Sequence, residues 1–348
     1  MVIAPVVALG AALLFGLSAP AAKLLAGAVD PWLLAGLLYL GSGVGLAFVR
    51  LAQRTLGFRR REARVTLTEL PWLLGAIATG GVIGPVLLMF GLARGLASQA
   101  ALLLNLEGVL TAVIAWVVFR EHFHARIVVG MSAITSGAVA LAWSGTAGAA
   151  IDASGVLVAA ACLAWAIDNN LTRVVSGADP LDIAAFKGLV AGAVNVLIAL
   201  ARGVAWPPLD AVLGAAVVGL LGYGTSLVLF VLALRHLGTG RTGAYFSTAP
   251  FIGAVAAVIA LGEPLTRQLA LGAALMALGV WLHLTEHHEH EHAHEALEHE
   301  HAHRHDEHHQ HGHAPGTIVT DPHTHRHVHA PLRHRHPHYP DLHHRHDH

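Results

Sequence analysis

Long apolar stretches separated by short polar segments dominate the first 284 residues of the chain. The length of most stretches is close to the roughly 20 residues that a helix needs to cross about 30 Å of hydrocarbon. They are continuously apolar, without the period-two alternation that is typical of outer-membrane β-strands. The pattern therefore predicts an all-α polytopic membrane protein with ten transmembrane helices. These lie near residues 3–26, 32–52, 70–93, 97–119, 125–145, 154–176, 182–201, 211–234, 241–261 and 267–284.

The composition excludes several other classes of protein. Of the 348 residues 55% are hydrophobic and only 12% are charged, whereas soluble domains carry about 25% charged residues. A formal net charge of −1 argues against nucleic acid as a partner, and the single cysteine, Cys162, excludes an intramolecular disulfide. No phosphate-binding glycine loop, HExxH pair or nucleophile elbow occurs, so we expect no enzyme.

The two halves of the apolar region resemble each other. An Asp-Pro pair follows the first and the sixth predicted helix, at Asp30 and Asp179. Glycines recur at an offset of 142 residues, as Gly130 and Gly137 and again as Gly272 and Gly279. Five helices per half is an odd number, so the halves are predicted to be inverted repeats, an architecture of alternating-access transporters. We divide the chain into residues 1–145, 154–284 and a tail, 285–348.

The basic residues of the short loops predict the orientation. With the N-terminus in the cytosol, the inner loops hold Arg54, Arg59, Arg60, Arg61, Arg64, Arg120, Arg126, Arg173, Arg235 and Arg241. The outer loops hold only Arg94, Arg202 and Arg267. By the positive-inside rule both termini are expected to be cytosolic, in an inner or plasma membrane.

Several motifs resemble the EamA-like branch of the drug/metabolite transporter superfamily. The most specific is Leu261-Gly262-Glu263-Pro264-Leu265-Thr266, followed by Gly272 and Gly279. Thr248-Ala249-Pro250-Phe251 and Asn105-Leu106-Glu107-Gly108 look like the family's paired positions. The resemblance spans about residues 5–284. It implies ten helices, cytosolic termini and a secondary carrier that moves small organic solutes, often outward.

Two departures from the family pattern point to the second half of the chain. The Trp-Gly pair common in the first helix of each repeat appears as Phe15-Gly16 and as Trp165-Ala166. The basic residue common early in the second helix is absent from the first half, while Lys187 is present in the second. Substrate recognition is therefore expected to rest mainly on the second half.

Ionisable and amide side chains inside the apolar stretches are the candidate site. An ionisable group there costs at least about 2.5 kcal/mol, so it is expected to face a cavity or a partner. The candidates for substrate binding or coupling are Asp168, Asn169, Asn170, Glu107, Asn105 and Lys187. The Asp168–Asn170 cluster suits either solute contact or hydrogen bonding between helices. Glu107 suits a proton or cation site or a pair with Lys187, which could instead pair with Asp168 or bind an anionic group.

Three further features have mainly structural interpretations. Glu121 and Glu263 stand at helix ends, where a carboxylate can cap the next helix. Gly84-Pro85 predicts a kink in the third helix. Tyr39, Tyr223 and Tyr245 suit packing or anchoring at the interface more readily than substrate contact.

The tail contains 24 of the 28 histidines, interspersed with acidic residues. Neutral imidazole binds Ni, Cu, Zn and Co, and the tail cannot bury a core, so we expect a disordered segment able to bind divalent metal. The candidate ligands are His287, His288, His290, His292 and His294. A solvated tail that binds metal without a biological role remains the alternative.

The sequence thus predicts a transporter of small solutes or metabolites that acts as an exporter, in contact with the lipid bilayer and requiring no cofactor. Two alternatives stay open: a divalent-metal (Ni, Co or Zn) transporter, and a membrane-anchored metal sensor or buffer acting through the tail. The oligomeric state stays open as well, a homodimer included.

Overall fold

A computed structural model describes residues 3–56, 66–119, 125–143, 152–175 and 179–285, together with four strands in the tail. Within these ranges ten helices are long and apolar enough to cross a membrane, which confirms the predicted helix number. We name them α1 (Ala4–Leu25), α2 (Pro31–Thr55), α3 (Leu70–Arg94), α4 (Ala97–Val118), α5 (Ala125–Ala142), α6 (Ala153–Val174), α7 (Leu181–Ala201), α8 (Leu209–Leu234), α9 (Arg241–Ala260) and α10 (Arg267–Leu284).

The repeated Asp-Pro pairs start helices. The Asp30 side chain accepts a hydrogen bond from the backbone N–H of Trp32 at 2.9 Å, and the Asp179 side chain accepts one from Leu181 at 2.9 Å. Each aspartate satisfies an N–H group that has no partner within the helix, and the proline after it has its backbone preset for the first turn. The motif therefore fixes where α2 and α7 begin.

Four of the ten spans depart from a regular α-helix, and one of them, α9, is broken at Ser247 and Thr248. In α3 and α8 a π-helical turn interrupts the helix, at Ile77–Ile83 and Gly219–Thr225, and the two turns are separated by the same 142 residues as the repeated glycines. The span α4 is broken at Leu104 and Asn105. The segments are Leu70–Ala76, Ile77–Ile83 and Gly84–Arg94 in α3; Ala97–Leu103 and Leu106–Phe119 in α4; and Leu209–Val218, Gly219–Thr225, Ser226–Phe246 and Ala249–Ala260 in α8 and α9.

Glycines let the two halves approach each other closely. The α2 and α7 backbones meet at Gly43 and Gly188, where a Cβ added to Gly43 would lie 2.6 Å from the Gly188 carbonyl carbon. The α5 and α10 backbones meet at Gly137, where an added Cβ would lie 2.9 Å from the Gly272 oxygen. Small residues at such crossings permit tight helix packing in a membrane.

The remaining contacts follow the same pairing of halves. Helix α1 packs against α8 and α9, and helix α6 packs against α3 and α4. The first helix of each repeat thus packs against the third and fourth helices of the other repeat. This arrangement brings the polar residues of α6 against the π-turn of α3 and the break in α4.

Four short strands are described in the tail. They form two antiparallel pairs: β1 (Glu289–His294) with β4 (Leu332–Pro337), and β2 (Leu297–His303) with β3 (His323–His329). These strands are not predicted from the sequence, although histidine alternates there with other residues at the period of a strand. The other tail residues, His287 and His288 among them, lie outside the described residues.

Candidate functional site

The centre of the candidate site is an ion pair between Asp168 of α6 and Lys187 of α7. Asp168 is 4% exposed and also accepts a hydrogen bond from the Thr172 hydroxyl at 2.9 Å, one helical turn away. Of the partners considered for Lys187, the structure selects Asp168. The two charges compensate each other where an isolated charge would be costly.

The π-turn of α3 lies directly against this pair. A Cβ added to Gly80 would overlap the Asp168 carboxylate, so the side chain fits only because residue 80 is glycine. The Gly80 carbonyl accepts hydrogen bonds from the Tyr39 hydroxyl at 2.8 Å and from the Trp165 indole N–H at 2.9 Å. The π-turn leaves this carbonyl free to accept from two other helices.

Asn195 of α7 extends the same contact. Its amide nitrogen donates to the Gly81 carbonyl at 3.2 Å, and its side chain is fully buried. Sequence reasoning missed Asn195, Thr172 and the hydrogen bond of Trp165. The adjacent glycines Gly80 and Gly81, inside an apolar helix, were the available signal for this close approach.

The sequence predicts one continuous helix over residues 97–119, but the structure breaks it at Leu104 and Asn105, and Glu107 lies directly after this break. Its carboxylate oxygen Oε1 accepts a hydrogen bond from the Asn169 amide at 2.8 Å, and the same amide lies 3.3 Å from the Thr111 hydroxyl. Within the described part of the chain no cationic side chain forms an ion pair with Glu107. The proposed pair with Lys187 does not form, because Lys187 pairs with Asp168.

The two remaining candidates bond to backbone. The Asn170 amide donates to the carbonyls of Ala166 at 2.8 Å and Thr111 at 3.3 Å, and the side chain is buried. The Asn105 amide donates to the Leu102 carbonyl at 2.9 Å, beside the break in α4. The structure thus gathers Asp168, Asn169, Glu107 and Lys187, while Asn170 and Asn105 hold helices together.

Aromatic side chains from both halves of the chain continue from this cluster. The rings of Tyr39 and Tyr223 are 5.8 Å apart, and the Tyr223 ring is 6.2 Å from Phe15 in an edge-to-face arrangement. Phe15 lies 5.3 Å from Phe246, which lies 4.7 Å from Phe230. We call these five residues the aromatic cluster; all are half-buried.

The matching position in the first half carries no charge. A Cβ added to Gly222 of the α8 π-turn would lie 2.6 Å from the Ser18 Cβ, so Ser18 occupies the place that Asp168 has in the other half. The Ser18 hydroxyl donates to the Phe15 carbonyl at 2.6 Å. The Asp168–Lys187 ion pair therefore belongs to the second half, whereas Glu107 belongs to the first. The aromatic cluster takes residues from both halves: Phe15 and Tyr39 from the first, and Tyr223, Phe230 and Phe246 from the second.

Carboxylates and a lysine cap helices at the ends of the bundle. Glu263 accepts hydrogen bonds from the backbone N–H groups of Ala97 at 2.7 Å and Ser98 at 2.8 Å. It therefore caps α4 and not the next helix, α10, whose first turn is capped by Thr266. Lys23 donates to the Gly95 carbonyl at 2.7 Å beyond the end of α3. Glu121 lies outside the described residues.

Among the residues that the structure describes, no group of three or more His, Cys, Asp or Glu residues could hold a metal ion. His290, His292 and His294 belong to strand β1, for which the structure gives the backbone pairing alone.

The sequence profile of the EamA-like transporter family matches residues 2–143 and, separately, residues 153–285. The chain belongs to this family. It is a multi-pass membrane transporter, and the described site lies between the helices of both matched segments. The family is one of transporters rather than of enzymes.

The proteins to which this EamA-like chain is similar include two relatives and one solved structure. An uncharacterized transporter of Methanothermobacter thermautotrophicus is 29% identical over 285 residues, 78% of this chain and 83% of the relative. A probable terminal-alkyne amino-acid exporter of Streptantibioticus cattleyicolor is 27% identical over 257 residues, 73% of this chain and 85% of the relative. The fold also matches a crystal structure of another protein, with a TM-score of 0.59 and 20% sequence identity. The match covers 80% of this chain and 95% of the chain in that structure. That likeness concerns the fold alone.

Proposed function

We propose that this EamA-like protein exports small organic solutes that carry an ammonium group on an apolar body, such as amino acids with apolar side chains. The observation that carries the proposal is Glu107, a half-buried carboxylate whose described partner is the amide of Asn169. A carboxylate in a membrane interior favours a cationic partner. An ammonium group of the solute supplies that charge.

The aromatic cluster supports an apolar solute body. Tyr39 and Tyr223, whose ring centres are 5.8 Å apart, connect the aromatic cluster to the Asp168–Lys187 pair. Aromatic rings provide apolar contact area and also attract ammonium groups over their faces. The name of the relative from Streptantibioticus cattleyicolor, an amino-acid exporter, agrees with this class of solute.

Alternating access is the mechanism that we propose, with α1 and α6 as the helices that move against the two π-turns. Inverted repeats allow each half to take the conformation of the other, which exposes the midplane to one side and then to the other. The π-turns at residues 77–83 and 219–225 lie at equivalent places, and irregular helical turns are frequent at functional sites.

The orientation that we propose places both termini in the cytosol of a cell with this protein in its inner or plasma membrane. It is supported by the distribution of arginines between short loops. Reporter fusions at residue 348 and in the segment between α1 and α2 test it: the fusion at 348 should report a cytosolic position and the other an external one. The opposite result would reverse the direction assigned to transport.

Counterflow in proteoliposomes tests the proposed function. Vesicles loaded with unlabelled L-phenylalanine, L-leucine or L-glutamate are diluted into the same labelled compound. We expect transient accumulation of the two apolar amino acids and none of L-glutamate, because its side-chain carboxylate would be buried without a partner against the aromatic cluster. Equal counterflow of all three compounds, or of none, would contradict the proposal.

The metal-transport alternative has less support. A dedicated metal path needs several carboxylates or histidines around one position, and the described helices bring no such group together. A role of the tail in binding divalent metal remains a proposal in its own right, with its test among the predictions below.

A further inference from the structure

Two membrane-embedded carboxylates lie near each other but differ in charge balance. Asp168 has Lys187 as a counter-ion and Thr172 as a hydrogen-bond donor, and Gly80 closes the space beside it. Glu107 has the Asn169 amide as its described partner and no described counter-ion. The first carboxylate is locked by its surroundings; the second is not.

We propose that Glu107 is the proton-coupling residue, at which a proton and the ammonium group of the solute bind in turn. This inference rests on the proposed function, since it concerns the same site. An unpaired carboxylate in a low-dielectric interior is neutralised either by a proton or by a bound cation. Since both bind to the same oxygens, the two forms of the carboxylate exclude each other.

The exchange is balanced in charge and mass at the carboxylate. On the outer side the ammonium group leaves and a proton from the external solution takes its place on Glu107. On the inner side the proton is released to the cytosol as the next ammonium group binds. One proton therefore enters for each solute that leaves, and the proton gradient drives export.

The charged and titratable neighbours of Glu107 are compatible with this role. Asp168 and Cys162 approach from α6, Lys187 from α7 and Tyr39 from α2. Asp168 and Lys187 cancel each other's charge through their ion pair, so the local balance depends on Glu107. Helix α5 also contacts α4; its described charged residue, Arg126, lies at its first turn, about 18 Å along the bundle by helical rise.

The break in α4 gives the carboxylate the freedom that exchange requires. Glu107 lies in the first turn of the segment Leu106–Phe119, after the break at Leu104 and Asn105. It is half-buried and its partner Asn169 is exposed, so the pair is open to a solute. Asp168, by contrast, is enclosed on all sides that the structure describes.

The test uses the full chain in proteoliposomes with L-phenylalanine as the probe and the membrane potential clamped by potassium and valinomycin. A lumen about one pH unit more acidic than the bath should drive accumulation up to about tenfold, the limit for one proton per solute. Glu107→Gln should abolish this accumulation, and its residual counterflow should no longer depend on pH between about pH 5.5 and about pH 8. Glu107→Asp should restore part of it, and Glu263→Gln, at the helix-capping carboxylate, should accumulate like the parent.

The outcomes separate the inference from the function on which it rests. Counterflow by the parent without accumulation under the pH gradient would overturn proton coupling and leave a transporter. Accumulation by Glu107→Gln would overturn the assignment of the residue. If no probe shows counterflow, the proposed function fails. Protonation of Glu107 can then still be tested by labelling the full chain with a hydrophobic carbodiimide, which reacts with protonated carboxyl groups. Labelling at Glu107 but not at Asp168 would support the inference, and an unlabelled Glu107 would overturn it.

Discussion

Neutralising one member of the Asp168–Lys187 pair should destabilise the protein far more than neutralising both. Lys187→Met leaves the Asp168 carboxylate, 4% exposed, without a counter-ion. Breaking a buried pair in this way costs about 3–5 kcal/mol, whereas replacing both partners with neutral groups is often close to neutral. The Thr172 hydrogen bond to Asp168 offsets only part of this cost. Asp168→Asn should act similarly by leaving the ammonium group of Lys187 unpaired.

The measurement is a double-mutant cycle on unfolding in mixed micelles, followed by circular dichroism. We expect each single variant to lose about 3 kcal/mol or more, and the double variant Asp168→Asn with Lys187→Met to recover most of that loss. Ile167→Ala, at the neighbouring exposed position, is the control and should change stability by about 0.5 kcal/mol or less. Additive losses in the double variant would show that the two side chains do not compensate each other, and would remove the contrast between Asp168 and Glu107.

Three more predictions address the surroundings of the site and the tail. Gly80→Ala should lower the free energy of unfolding by about 1–3 kcal/mol, because the added Cβ overlaps the Asp168 carboxylate. Gly243→Ala is the control and should be tolerated, since the structure shows open space there; equal stability of both variants would contradict the close approach. Glu263→Ala should lower the free energy of unfolding by about 1.5–3 kcal/mol, because the hydrogen bonds of Glu263 to the start of α4 are lost. Glu263→Gln should retain part of these hydrogen bonds, and unchanged melting temperatures of both variants would exclude Glu263 as the cap of α4. Truncation after residue 284 should abolish binding of several Ni or Zn ions by the full chain at about pH 7.5 without changing metal-free transport, and unchanged titration isotherms would place the metal elsewhere.

The pattern of apolar stretches was sufficient to predict the helices, because a membrane span needs a length and a composition that few other structures require. The repeat was also visible, since Asp30 and Asp179 cap helices and glycines such as Gly137 mark close crossings. These features act locally or at a fixed offset along the chain. The helices and the repeat can therefore be predicted from a single sequence.

The partners within the site could not be read in the same way. From the sequence, both Asp168 and Glu107 were candidate partners for Lys187. The way in which α6 and α7 face each other decides that it pairs with Asp168. The π-turn of α3 was not predicted either, because the donors to its Gly80 carbonyl, Tyr39 and Trp165, lie on two other helices. Glu263 caps α4, far away in sequence, for the same reason: helix contacts across the halves determine it.

The most direct test of the central claim is a competition experiment on L-phenylalanine counterflow by the full chain. Phenethylamine keeps the ammonium group and the ring but lacks the carboxylate, and 3-phenylpropionate keeps the carboxylate and the ring but lacks the ammonium group. Because the ammonium group is assigned to Glu107, we expect phenethylamine to inhibit counterflow and 3-phenylpropionate at the same concentration to leave it unchanged. Inhibition by 3-phenylpropionate alone would show that the solute is recognised through an anionic group, and would contradict the account.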